Sequence, residues 1–457
     1  MKKTVTAIFD IGKTNKKFFL FDEDFQEVYR EYVQFEEIED EDGHPTEDLS
    51  ALRNWLKSVF DRILKTENYD IRAINFSSYG ASLVHLDENR EVIFPMYNYT
   101  KSIPQEIIDS FYEKYGPEAK FHQKTGTSSA GMLNAGMQLY WMKHTKPEVF
   151  AKIRYSLHLP QYLSYVFTGI PLSEYTSIGC HTGLWDFEKK DYHDWVYAEK
   201  IDQLLPPIVS TETSINMNYN GKRIKIGVGI HDSSAALLPY VRSLNKPFIL
   251  ISTGTWSISL NPFTDSLLTK QDVADDCINY MRINGKPVKS ARLFLGKEYS
   301  IQVEKLAKHY GVDADYHKQV VFDPEMHYEI HKDFENLFHW ETIADPNMPP
   351  KTVLRYTTFE HAYHHLMMEL VLLQVASIKS AKGAMAIEKL FVDGGFSDNE
   401  VYIQLLSHHF RTMELRTTDS SLGSALGAAI CISDTQLNSK FLKKNYSMKK
   451  HTPFIVN

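Results

Sequence analysis

The amino-acid sequence predicts an α/β protein built as two lobes of related design. Three observations lead there. At roughly 100–200 residues per domain, 457 residues make two to four domains. Short β-rich runs alternate with stretches of helical apolar spacing. A strand–turn–strand unit at residues 4–21 returns at residues 248–260 with a similar Gly/Thr turn, and such an internal echo bears on architecture.

The elements follow in order. Thr4 to Phe9 is a first strand, Lys17 to Phe21 a second, and Glu27 to Phe35 a third, separated by turns at Gly12–Asn15 and Asp22–Asp24. Glu36 to Glu47 is acidic and patternless, so a loop is expected. Leu52, Leu56, Val59, Phe60 and Ile63 fall on one helical face of Leu49 to Lys65. Ile71 to Phe76 is a strand, and the middle third is mixed, with helices over Ala135–His144, Pro147–Phe150 and Gln161–Phe167. In the second half come the hairpin at 248–260, a helix over Glu360–Ser380, and a strand at Lys389–Val392. Ser397 and Glu400 have the spacing of a capping box. Ser421 to Ala429 reads as a closely packed helix, and the basic, polar tail from Asn438 as loosely held.

Composition narrows the function classes. Hydrophobic residues at 43% and charged residues at 24% are enough to bury large cores. A net charge of −8 with dispersed acidic residues argues against a nucleic-acid-binding surface. Cys180, Cys277 and Cys431 are far apart, so reduced core thiols are expected rather than a disulfide framework or zinc site. No run approaches the ~18 apolar residues of a membrane span. Asp10 interrupts the apolar run that follows Lys2 and Lys3, against a signal peptide. The expected compartment is the cytoplasm, and a homodimer is the default assembly.

Four segments carry chemistry. In Asp10-Ile-Gly-Lys-Thr-Asn-Lys-Lys17 a strand-end carboxylate precedes a Gly turn with hydroxyl and amide side chains. Such a turn can present N–H groups to phosphate. Asp10 can hold Mg²⁺ directly or through water, and Lys13 and Lys17 can neutralise phosphate charge. The alternative is an ordinary hairpin with solvated lysines, and the P-loop spacing is absent. In Gly227-Val-Gly-Ile-His-Asp232, the Asp can accept a proton from an attacking hydroxyl or cap a helix; His231 is expected to be packed or hydrogen-bonded. Ser252-Thr-Gly-Thr255-Trp256 is a second phosphate-turn candidate. In Asp393-Gly-Gly-Phe-Ser-Asp-Asn399, a Gly-Gly turn before a helix allows a flat ring to approach and favours anions. It lacks the dinucleotide fingerprint.

The order of these segments resembles the FGGY carbohydrate kinases of the sugar kinase/Hsp70/actin superfamily, from residue 4 to about residue 432. Supporting stretches include Ile74 to Ser82, Leu139 to Lys143, Thr182 to Asp186 and Leu426 to Ala429. The resemblance implies two ribonuclease-H-like, actin-like ATPase lobes with a cleft between them. These are expected at residues 1–241, with the sugar and the base, and 242–435, with ATP, followed by a tail at 436–457. It implies ATP and Mg²⁺ as cofactors, with phosphoryl transfer to a sugar. Asp10, Gly12, Thr14, Asn15 and Lys17 then fall to the first phosphate motif and Asp232 to the catalytic base. Gly254 and Thr255 fall to the second phosphate motif, and Gly394, Gly395, Ser397 and Asn399 to adenosine. The sugar is expected near Ser78, Tyr79, Asn98 and Asp232, and to be a ketose of the xylulose, ribulose, fuculose or rhamnulose type. Three departures stand out: Lys13 in place of a small residue, Tyr79 where many members have Gln, and Tyr97-Asn-Tyr-Thr-Lys101 in place of W-x-D-x-R. The same lobes also suit an ATP-gated binding protein or a sugar sensor without turnover.

Overall fold

Among the described residues, 2–419 and 422–454 of the computed structural model, two mixed sheets of seven strands each organise the chain. The first uses β1 (Lys3–Ile11), β2 (Lys16–Phe21), β3 (Glu27–Val33), β4 (Tyr69–Ser78), β5 (Ser214–Tyr219) and β6 (Lys222–Gly227), with Ile230–His231 added beside β4. The second uses β7 (Phe248–Thr253), β8 (Ser257–Asn261), β9 (Ile278–Met281), β10 (Pro287–Leu293), β11 (Lys389–Gly394), β12 (Glu414–Thr418) and β13 (Lys449–Lys450).

Their strand orders, β5-β6-β4-β1-β2-β3 and β9-β10-β8-β7-β11-β12-β13, superpose in kind. In each, an antiparallel hairpin (β1–β2, β7–β8) is extended by an antiparallel strand (β3, β10) on one side. On the other side a parallel strand (β4, β11) joins the first strand of the hairpin. The echo seen in the sequence is therefore the same position in two related sheets.

Helices cover the sheets. α1 (Leu49–Lys65) starts at Asp48, whose side chain accepts from Ala51 N at 2.9 Å, and buries the five apolar positions its periodicity marks. α2 (Asp232–Ser243), α3 (Leu295–Tyr310), α4 (Phe359–Lys382), α5 (Glu400–His409), α6 (Gly423–Cys431) and α7 (Ser439–Asn445) follow. α4 runs through the core of the second lobe with Leu366, Leu370 and Val371 fully buried. A helical region around Phe111, Tyr140 and Trp195 forms a further core in the first half.

The expectations for the tail, one helix cap and one strand end change. The tail is docked: α7 buries Leu442, Tyr446 is buried, and β13 pairs with β12. Loose polar composition misled because two apolar side chains suffice to seat a short helix. The α5 cap is Asn399, which accepts from Tyr402 N at 3.0 Å, so the Ser397–Glu400 capping box does not form. The third strand ends at Val33 rather than Phe35. Ser421, which opened the expected small-residue helix, lies outside the described residues, as do the last three residues of the tail.

That small-residue helix, α6, belongs by sequence to the second half but packs on α2, β1 and β4 of the first. A Cβ at Gly427 would stand 1.8 Å from the carbonyl oxygen of Ala235. The absence of a side chain there is what lets α6 and α2 touch backbone to backbone. Asn75 of β4 donates to Ala428 O at 2.8 Å. This seam brings Ser424 to the end of β1.

Candidate active site

Asp10 lies one residue before the end of β1, opposite Lys17 of β2 and Ser77 of β4. It is 8% exposed and accepts a 2.9 Å hydrogen bond from Ser424 Oγ. Burial pushes its carboxyl up to about 6; Ser424 and Lys17 oppose the rise and Asp232 adds to it. The following turn closes with Gly12 N donating to Asn15 O at 3.0 Å, leaving Thr14 and Asn15 at an exposed tip.

Asp232 opens α2 at its first helical position, with His231 in the cap position. The capping role is therefore not its own, and its carboxylate instead accepts from Ser233 N at 2.5 Å and Ser233 Oγ at 3.1 Å. It is about a third exposed, 36% at the side chain. With Ser252, Tyr280, Asp393 and Ser424 it lines a cavity of about 250 Å³. His231 is packed, as expected: its ring stacks on Tyr280 with centroids 6.0 Å apart.

On the expected sugar side, Ser78 ends β4 beside Ile11, and Tyr79 follows it, its N donating to Ile11 O at 3.3 Å. The Tyr79 hydroxyl donates to Glu47 Oε1 at 3.1 Å. Glu47, 5% exposed, also pairs with Lys16, 2% exposed, at 2.8 Å. Asn98 is engaged on both amide atoms, donating to Pro45 O at 3.0 Å and accepting from Thr100 N at 3.1 Å. Its neighbour Tyr99 carries the partly buried ring there, edge-on to Tyr79 at 6.2 Å. The acidic loop is the counterpart of these lysines: Lys13 pairs with Glu37 at 2.5 Å, and Lys101 with Asp40 and Asp42 at 2.5 and 2.6 Å. The departures at Lys13 and Tyr97–Lys101 thus anchor residues 36–47, which are not the plain loop expected: Ile38–Glu39 and Pro45–Thr46 pair antiparallel in a short hairpin. Ion pairs leave no period, so spacing alone does not show this, although acidic residues near a lysine-bearing turn are a usable signal.

The second lobe supplies uncharged turns. Gly254 N donates to Trp256 O at 2.8 Å, and Lys297 N of α3 donates to Thr255 O at 3.1 Å. Gly394 has φ +88°, and a Cβ there would lie 1.9 Å from Thr253 O. Only glycine lets the β11 turn sit so close to β7. Thr253 Oγ1 donates to Asp393 O at 2.5 Å and accepts from Phe396 N at 3.0 Å. Gly394, Gly395 and Ser397 line a cavity of about 710 Å³, and Ser252 and Asp393 line both this cavity and the one beside Asp232. Asn399 sits behind, donating to Tyr363 OH at 2.8 Å. Ser252, Ser424, Tyr280 and Asp393 were not singled out from sequence; Asp393 and Ser252 were legible as members of motifs already recognised.

The donor set suits a divalent cation carried by phosphates. A buried carboxylate with a raised pKa, next to a second carboxylate, is relieved by positive charge, and Mg²⁺ uses one or two carboxylates plus phosphates. Among the described residues, no group of three or more His, Cys, Asp and Glu forms a protein-only metal site. No helix among them is long and apolar enough to cross a membrane.

Comparison with known proteins now has a geometry to meet. Residues 5–237 match the profile of the FGGY family of carbohydrate kinases, N-terminal domain, and residues 245–440 match the carbohydrate kinase FGGY, C-terminal domain. Rhamnulokinase of Mannheimia succiniciproducens is 24% identical over 262 residues, 55% of this chain and 52% of that protein. Rhamnulokinase of Oceanobacillus iheyensis is 23% identical over 252 residues, 50% and 52% of the two chains. The chain spans about half the length of these curated relatives. A carbohydrate kinase structure from Novosphingobium aromaticivorans shares the fold with a TM-score of 0.82 at 23% identity, covering 99% of this chain and 95% of that one. A ligand-bound xylulose kinase from Lactobacillus acidophilus does so at 0.77 and 16%, covering 99% and 94%.

Proposed function

The chain belongs to the FGGY family of carbohydrate kinases, and on that premise we propose that it transfers the terminal phosphoryl group of MgATP to a hydroxyl of a small ketose. The substrate class is a ketopentose or deoxyketohexose. The rhamnulokinase and xylulose kinase relatives support that range. Asp232 accepts the proton of the attacking hydroxyl, in the role a base plays in kinase chemistry. Asp10 would hold Mg²⁺, which supplies charge neutralisation for the transferring group. The turns at Gly12–Asn15 and Gly254–Thr255 orient phosphates, and the Gly394–Gly395 turn holds the adenosine side. Ser78, Tyr79 and Tyr99 shape the sugar side, and closure of the lobes excludes water.

The observation that carries this reading is that Asp10 feels the charge of Asp232 and is hydrogen-bonded to Ser424, which lines the cavity beside Asp232, and that this cavity shares Ser252 and Asp393 with the larger one at Gly394–Gly395. One site thereby has a base, a cation-holding carboxylate and room for a nucleotide. The test measures ADP release from MgATP across ketoses, aldoses, polyols and no sugar. Strong stimulation by one ketose, with a phosphorylated product, is expected. A rate that no sugar changes would overturn the kinase reading in favour of an ATP-gated or sensing protein.

A further inference from the structure

Family membership is read from residues 5–440, yet the large cavity is walled partly by residues beyond that range. Ser447 and Lys449 line it together with Gly394, Ser397 and Asp419. Resting on the kinase reading above, we infer that the segment after residue 440 is a built wall of the nucleotide site, and that Lys449, on the adenosine side, meets the phosphate charge nearest the adenosine.

The segment is held on both sides of the lining residues. Before them, Leu442 and Tyr446 are buried, and Tyr446 O accepts from Asp419 N at 2.9 Å. Asn445 Oδ1 accepts from Gln26 Nε2 of the first lobe at 2.6 Å. After them, Lys449 pairs in register with Thr417, His451 N donates to Leu415 O at 3.0 Å, and His451 Nε2 meets Thr417 Oγ1 at 2.9 Å. Phe454 stacks on His408 with centroids 4.3 Å apart. Lys449 is thus fixed at its backbone, not carried on a free end.

Charge selects the ligand atoms. The cavity lining carries the carboxyl groups of Asp393, Asp398 and Asp419, and among the described lining residues Lys449 is the one basic side chain. A nucleoside phosphate entering there needs a cation besides its Mg²⁺, and Lys449 provides it at the rim. Strand alternation separates it from Lys450, which points to the other face and pairs with Glu414 at 3.4 Å. Ser447 has φ 44°, a left-handed conformation uncommon for a residue other than glycine. That kink turns the chain from α7 into β13.

The test is calorimetric binding of MgADP to the full chain carrying Lys449→Glu, Lys449→Met or Lys450→Glu, with steady-state KM for ATP and for the sugar. Loss of one charge-assisted contact at a partly exposed site is expected to weaken MgADP about tenfold in Lys449→Glu. Lys449→Met is expected to fall less. Lys450→Glu, the sugar KM and the melting temperature stay unchanged. Wild-type affinity in both Lys449 variants, or an equal loss in Lys450→Glu, would overturn the inference. Should Lys449→Glu fail to fold, the neutral Lys449→Met decides. A wild-type chain that binds no MgADP sinks the kinase reading itself, a different outcome from a wild type that binds and a variant that binds equally.

Discussion

The two hairpin turns occupy equivalent places in the two sheets and are built from opposite chemistry. The β1–β2 turn is ringed by charge: Asp10 and Lys17 across the hairpin, Lys13 against Glu37, and the buried Lys16–Glu47 pair beneath. The β7–β8 turn is ringed by neutral groups. Thr253 bridges Asp393 O and Phe396 N, and Trp256 stacks on Phe294 with centroids 4.3 Å apart. One scaffold was thus specialised twice. The first copy places charge where a proton and a phosphoryl group would move. The second places backbone where a nucleotide would lie.

The contrast can be broken from the charged side first. In Asp232→Ala, turnover with the best sugar is expected to fall about 10²–10⁴-fold, the range for a general base, with MgADP affinity held within about twofold. Unchanged turnover would remove Asp232 from the mechanism. Next in size is Glu47→Gln, which leaves Lys16 buried without its counter-charge. Breaking a buried pair costs about 3–5 kcal/mol, so a loss of that order in a urea melt is expected, and a loss below ~1 kcal/mol would show that the buried Lys16 does not depend on Glu47.

Asp10→Asn has an effect whose sign depends on the observable. Turnover is expected to fall about 10²-fold, as for loss of one electrostatic group at a transferring centre. Stability moves the other way. A carboxyl raised to about 6 binds its proton more tightly in the folded state than in the unfolded one. Wild-type stability therefore falls as pH rises from about 4 to 6, and stays reduced above that. The Asn variant lacks this fall and is expected to be more stable at pH 8, on the order of 1–3 kcal/mol. The same titration gives wild-type kcat/KM, which reports the free enzyme, an acid limb near pH 6. Denaturant melts at pH 4 and pH 8 check the first claim and a pH–rate profile the second.

On the neutral side, Thr253→Val leaves Phe396 N without its acceptor. The expected cost is about 1–3 kcal/mol, with weaker nucleotide binding and unchanged sugar affinity; a change in sugar affinity alone would mean that the two lobes are less specialised than their turns indicate. The smallest effect belongs to Lys13→Ala, whose partner Glu37 is exposed: about 0–1 kcal/mol in a melt. A larger loss would show that the acidic loop depends on that pair.

The sequence by itself determined the lobes. Periodicity is local, so α1, the hairpins and the Gly394 turn were legible from spacing alone, and the order of four motifs carried the family. Asp10 and Asp232 were legible as strand-end and helix-start carboxylates. What only the tertiary structure decided lies between distant segments. Ion pairs and backbone contacts have no period, so spacing did not show that residues 36–47 neutralise Lys13, Lys16 and Lys101; only their acidic composition hinted at it. Nothing in the polar composition after Asn438 announced a docked wall. The small residues of α6 read as a packed helix, but not as one that crosses to the first lobe and donates Ser424 to Asp10. The physical reason is the same in each case. A side chain's partner is chosen by the fold after the chain has turned back on itself, 24 residues away for Lys13 and Glu37 and 414 for Asp10 and Ser424, beyond the few residues over which local spacing can speak.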